Sequence, residues 1–113
     1  MGYEAKQGDI IWLSLDPQAG HEQKGRRPAI VISNNTFNDF AKTGAMICPI
    51  TNTDRASPLQ LRLDDRTTTS GVIMCDQAKI LHLQIRGAAF IERAPDDVLA
   101  EAVDIVRGIV EVE

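Results

Sequence analysis

Short apolar runs alternate with polar, turn-rich segments along the whole chain, and the first of them, Ile10-Ile11-Trp12-Leu13-Ser14-Leu15, is apolar at nearly every position. A run so rich in β-forming residues predicts a strand buried on both faces, with Trp12 in the core. Residues 29–33, Ala-Ile-Val-Ile-Ser, predict a second strand that could be central, and residues 45–50 a third whose end Pro49 places at an edge or bulge. Leu59-Gln60-Leu61-Arg62-Leu63 has strict period two, which puts three leucines on the core side and Gln60 and Arg62 outside. Residues 72–81 start apolar and begin to alternate near Asp76, predicting one further strand, and a last one is expected around residues 86–92.

Helical signals are fewer. Asn34-Asn35-Thr36-Phe37-Asn38-Asp39-Phe40 is polar and Asn-rich, which predicts a turn or one short helical segment. After Arg93, Pro95 with Asp96 and Asp97 suits the positive end of a helix, and Val98, Leu99, Ala102, Val103, Val106, Ile109 and Val110 recur at helical spacing. Five to seven short strands and one convincing helix in 113 residues predict a single mainly β domain, a small antiparallel and partly closed barrel with the helix over its open side. The polar loops after the first and third strands are the natural places for a site.

Composition narrows the function classes. With 43% hydrophobic and 25% charged residues the chain can bury one core. Its start is polar and no apolar run has the length of a membrane span, so a cytoplasmic protein is expected. Cys48 and Cys75 each sit in an apolar run, as buried free thiols do, and with His21 and His82 as the only histidines nothing has the spacing of a metal site. The total charge of −4 argues weakly against a general nucleic-acid binder. The tail 94–113, however, sets Asp96, Asp97, Glu101, Asp104, Glu111 and Glu113 against Arg107 alone, a net −5, and leaves +1 for the rest of the chain. A local cationic groove is therefore allowed.

Candidate chemistry gathers in Gly20-His21-Glu22-Gln23-Lys24-Gly25-Arg26-Arg27-Pro28, where phosphate-binding side chains lie between glycines and Pro28 holds Arg27 extended. Taken singly, these residues would be a solvated hairpin loop with surface cations.

An ordered set of fragments changes that preference: Gly8-Asp9-Ile10-Ile11-Trp12, Asp16-Pro17, Gly20-His21-Glu22-Gln23, Arg27-Pro28-Ala29-Ile30-Val31-Ile32, Pro49-Ile50-Thr51 and Asp76-Gln77. In order and spacing the chain resembles the MazF/PemK/Kid family of toxin endoribonucleases. The resemblance implies the SH3-like barrel shared with the CcdB gyrase poison, a homodimer, and metal-independent, cofactor-free cleavage of single-stranded RNA. It also implies a MazE-like antitoxin partner whose acidic, disordered segment occupies the RNA groove.

Residue by residue, the resemblance places the essential arginine at Arg27, the threonine after the third strand at Thr51 and the loop glutamate at Glu22. Attack of a ribose 2′-hydroxyl on the adjacent phosphate needs a base, a stabiliser of the oxyanion and a donor to the departing oxygen. Arg27 fits the stabiliser, since a guanidinium stays charged and forks onto two oxygens; Thr51 fits a phosphate donor and Glu22 the base. His21, Gln23, Lys24, Arg26, Gln77 and Arg86 are the candidate RNA contacts; His21 could also supply the acid or be bystander surface, and Gln77 and Arg86 equally read as a strand-side hydrogen bond and a surface cation. His82 reads as a structural or interface residue. Aromatic residues are only 4%, so stacking is not expected to supply most of the affinity. Two other readings remain open at this point: a CcdB-like poison that binds a protein target without catalysis, and an inactive antitoxin-binding module.

Overall fold

The computed structural model describes residues 2–15 and 25–113. Seven strands and two α-helices follow in order: β1 (Asp9–Ser14), β2 (Arg26–Val31), α1 (Asn35–Ala41), β3 (Gly44–Thr51), β4 (Gln60–Arg62), β5 (Val72–Met74), β6 (Lys79–His82), β7 (Ala89–Arg93) and α2 (Asp96–Val110). All pairings are antiparallel, along the path β4-β5-β3-β2-β1-β7 with β6 beside β3. The mainly β architecture with a C-terminal helix is as expected, but the sheet is open, with β4 and β7 at the ends of the path.

Period-two alternation along the central strands builds two cores. Ile10, Ile30, Ile32, Cys48 and Ile50 face one side and meet Ile73, Cys75, Val98 and Ala102, so α2 and the β4–β5 arm cover that face. Ile11, Leu13, Ala29, Val31, Ala45 and Ile47 face the other, where Leu83, Tyr3, Ala5, Leu81 and Ala88 cover them. The apolar runs in the sequence are continuous because both faces are buried. Each fully buried isoleucine stabilises the fold by about 1.5–3 kcal/mol. Cys48 and Cys75 are free and buried, as expected from their apolar runs.

β1 shows where this rule ends. Ile10, Ile11 and Leu13 are fully buried, whereas Trp12, expected in the core, is 40% exposed. Trp12 shares the face of Ile10 by alternation, but among the residues of the α2-side core is Ile10 and not Trp12. Trp12 instead lines a cleft.

Two further expectations need correction. The single strand expected over residues 72–81 is broken by a 3-10 turn at Cys75–Gln77, which separates β5 on one stretch of β3 from β6 on another. The strand expected around residues 86–92 is β7, Ala89–Arg93, with Arg86 in the turn before it. The Asn-rich segment resolves as the helix α1, capped at its start where the Asn34 side chain accepts from the Phe37 backbone N–H at 2.8 Å. Pro49 is opposite Ala29, the last β2–β3 pair, and beyond it Ile50 and Thr51 pair with β5. A residue without an N–H thus sits where β3 changes partner.

Candidate functional site

A cleft of about 460 Å³ opens where β1, β2, β3 and β7 end together with loop 64–71. Its lining includes Trp12, Arg26, Arg27 and Pro28 from the β1–β2 pair, Ile50, Thr51, Asn52 and Thr53 from the end of β3, Thr69 and Ser70 from the loop, and Ile91 from β7. Apolar, cationic and hydroxyl-bearing groups therefore share one concavity, as a nucleotide with its base, phosphate and ribose would require.

The cationic part follows from hairpin register. Trp12 pairs with Pro28, Leu13 with Arg27 and Ser14 with Arg26, and the Leu15 backbone N–H donates to the Gly25 carbonyl at 2.8 Å. Pro28 sits inside β2 without breaking it. Arg26 is the more firmly held of the two arginines. It donates to the carbonyls of Arg86 at 3.5 Å and Gly87 at 3.2 Å, and its guanidinium carbon lies 5.9 Å from the Trp12 ring centroid, within cation–π range. Arg27 is exposed and donates to the neighbouring Arg26 carbonyl at 3.1 Å, keeping most of its donor fork for a ligand.

Thr51 supplies a complementary donor. Its hydroxyl oxygen accepts from the Thr53 backbone N–H at 3.2 Å, so the hydroxyl proton can be given to a ligand in the cleft. Behind it the backbone is tightly packed. A Cβ on Gly71, whose φ is +118°, would lie 2.4 Å from the Thr51 carbonyl oxygen and 3.1 Å from Asn52 Oδ1. Only glycine permits that approach.

Loop 64–71 forms the hydroxyl-rich wall and is pinned at two places. Arg66 bridges Asp64, Nη2–Oδ2 2.9 Å, and Asp97 at the start of α2, Nη1–Oδ1 2.8 Å. The Glu92 carboxylate on β7 accepts from the backbone N–H groups of Thr68 at 3.0 Å and Thr69 at 2.8 Å, and from their hydroxyls at 2.9 and 2.7 Å. Burial pushes the Glu92 carboxyl up, but the bonds from Thr69 and Thr68 outweigh it and hold it below the usual glutamate range. The Arg66 guanidinium does the same for Asp64 and Asp97.

Of the sequence-derived candidates, Arg26, Arg27 and Thr51 meet in the cleft. Gln77 and Arg86 do not line it. Gln77 is exposed in the 3-10 turn between β5 and β6. Arg86 donates to the Ser14 carbonyl at 3.3 Å, and its own carbonyl accepts from Ser14 N–H at 3.0 Å, so it ties down the base of the hairpin and positions Arg26. His21, Glu22, Gln23 and Lys24 lie outside the described residues. His82 is exposed and bonds Thr43 Oγ1 through Nε2 at 3.1 Å. Sequence reasoning missed Trp12, Asn52, Thr53, Thr69 and Ser70 as lining residues, and Glu92 behind them. The Thr67-Thr68-Thr69-Ser70 run was the available signal, because four adjacent hydroxyls need acceptors.

The chain and its fold are similar to known proteins. The chain is 33% identical over 102 residues to the endoribonuclease PemK of Escherichia coli, covering 87% of this chain and 76% of that one. It is 34% identical over 113 residues to the endoribonuclease toxin ChpB of Escherichia coli K12, covering 96% of both. Its fold superposes with TM-score 0.86 on a crystal structure of MazE-MazF from Deinococcus radiodurans, at 32% identity and over 98% of this chain and 100% of that one. Residues 6–110 match the family described as the PemK-like, MazF-like toxin of type II toxin-antitoxin systems, and the chain belongs to that family.

Proposed function

We propose that this protein is the toxin of a type II toxin-antitoxin pair and acts in the cytoplasm as an endoribonuclease on single-stranded RNA, including mRNA. The observation that supports this reading most directly is that Arg27 and Thr51, from different strands and distant in sequence, line one cleft. A non-catalytic poison would have no need of that juxtaposition. The homologues named as endoribonucleases weigh against such a poison as well.

In this reading a phosphodiester sits between the Arg27 guanidinium and the Thr51 hydroxyl. The 2′-hydroxyl of the preceding ribose loses its proton to a base, its oxygen bonds to phosphorus, and the P–O5′ bond breaks as the leaving oxygen gains a proton. The products are a 2′,3′-cyclic phosphate and a 5′-hydroxyl, and inhibited translation is the cellular consequence. Arg27 stabilises charge on the non-bridging oxygens as the transition state forms, so no divalent metal is required for that role. Glu22 as base comes from the resemblance and from its charge, whereas His21 stands where the family often has a small residue and serves as the acid through its imidazole. Arg26, ordered over Trp12, holds an adjacent phosphate.

The same cationic rim suits an acidic antitoxin segment, and a homodimer is the assembly. Relatives crystallised as MazE-MazF complexes support such a partner. The test is incubation of the purified protein with mixed-sequence single-stranded RNA in EDTA, followed by mapping of the cut ends. Cleavage leaving cyclic phosphates, strongly slowed in Arg27→Ala and weakened in Thr51→Ala, is the expected result. An intact RNA pool with wild-type protein would sink the reading, and undiminished cutting by Arg27→Ala would sink the site.

A further inference from the structure

Glu92 lies behind the cleft and is not one of its lining residues, yet it determines what the cleft wall can offer. Its Oε1 accepts from the Thr68 N–H at 3.0 Å. Its Oε2 accepts from the Thr68 hydroxyl at 2.9 Å, the Thr69 N–H at 2.8 Å and the Thr69 hydroxyl at 2.7 Å. An ionised carboxylate has no proton to give, so the direction of these bonds is not in question: both threonine hydroxyls are donors to Glu92. A hydroxyl carries one proton and two lone pairs. Once its proton is committed, Thr69 Oγ1 has only lone pairs to present to anything entering the cleft that it lines.

We propose that Glu92 is a positioning residue that turns the Thr69 hydroxyl into a hydrogen-bond acceptor, so that the cleft selects an RNA base bearing an amino group beside the scissile phosphate. The inference rests on the RNA-cleaving reading above and adds its specificity. Cytosine carries an amino group where uracil carries a carbonyl, and adenine carries one where hypoxanthine has a carbonyl. The Thr69 hydroxyl, confined to accepting, accepts from the amino member of each pair and leaves the carbonyl member facing lone pairs with no proton between them. Such a mismatch leaves a desolvated acceptor unpaired on each side.

Neighbouring geometry reinforces the polarity. Ser70 Oγ lies 3.2 Å from Asn52 Oδ1, and in that bond the hydroxyl is again the donor. The loop is also stiffened from within, where Thr67 Oγ1 donates to the Thr69 carbonyl at 2.6 Å. At neutral pH the Glu92 carboxyl stays ionised, since its threonine donors hold it below the usual glutamate range despite partial burial.

The experiment compares kcat/KM of the full chain on RNA oligonucleotides that differ at one position near the cut, cytosine against uracil and adenine against hypoxanthine. Wild type should prefer the amino member at one such position by about tenfold or more, the size of one good hydrogen bond to a base. Glu92→Ala frees the Thr69 proton, and the preference should collapse to within about threefold, whereas Arg27→Ala should slow both members equally and leave their ratio intact. Thr69→Val, which removes the hydroxyl at constant shape, should collapse the ratio too, and it decides the matter if Glu92→Ala does not fold. An amino preference that survives Glu92→Ala or Thr69→Val overturns the inference while the nuclease reading stands. A carbonyl preference in wild type overturns it as well. Wild-type protein that cuts no RNA overturns both.

Discussion

The two walls of the cleft are built on opposite plans. Arg26 and Arg27 are consecutive on β2, and hairpin register sets Arg26 over Trp12 and Arg27 opposite Leu13 at the cleft. The hydroxyl wall is assembled from three separate stretches: the end of β3, loop 64–71 and, from behind, Glu92 of β7. Local pairing thus delivers charge, while tertiary contacts deliver hydrogen-bond direction. Such a division separates rate from selectivity, because phosphate charge is common to all RNA and base edges are not.

The largest effect expected in a test of this division is on the cationic side. Arg27→Ala should lower kcat by about 10²–10³, as loss of a principal oxyanion donor does, and Arg27→Lys should recover only part of it because an ammonium cannot fork onto two oxygens. Single-turnover cleavage rates would show this, and equal rates for Lys and wild type would remove the bidentate role.

Next comes Gly71, where loop 64–71 meets the end of β3. A methyl 2.4 Å from the Thr51 carbonyl oxygen, at a φ of +118°, must displace the end of β3. Gly71→Ala should cost about 2 kcal/mol or more and lower Tm by roughly 10 °C. Thermal melts would register the loss, and a Tm unchanged from wild type would mean that the approach relaxes freely.

Acid offers a smaller and reversible perturbation. Glu92, Asp64 and Asp97 all have carboxyls held below their ordinary range by partners in or beside loop 64–71. A depressed carboxyl stabilises the folded state above its unfolded value, near about 4 for these types, and that contribution disappears as pH falls through the lower folded value. The amide signals of Thr68 and Thr69 should therefore stay constant from neutral pH to about 5 and move only below about 4. Movement centred near pH 6 would contradict the clamp. The smallest effect belongs to Arg66→Ala. Its bridges to Asp64 and Asp97 are exposed and screened by solvent, so denaturant midpoints should shift little.

Much of this architecture could be read from the chain because it is local. Alternation over residues 59–63 and helical spacing over residues 98–110 report which face is buried whatever packs on it. β2 runs Arg26–Val31, starting two residues before the entrance that Pro28 suggested and ending short of Ser33, because pairing with β1 extends through Arg26, and Thr51 stands at the end of β3 where the strand opens into a polar loop. Periodicity could not foresee the break at Cys75–Gln77, because the apolar run continues through it while β5 and β6 lie on different stretches of β3.

By itself, then, the sequence determined most of the strands, the terminal helix and the Arg-Pro and Thr positions, since each depends on neighbours a few residues away. Only the tertiary structure decided which apolar residues are covered and which hydroxyls are committed. Trp12 is open because it lies outside the core that buries Ile10 and lines the cleft instead, and Thr69 donates inward because Glu92, from a distant strand, has no proton to return.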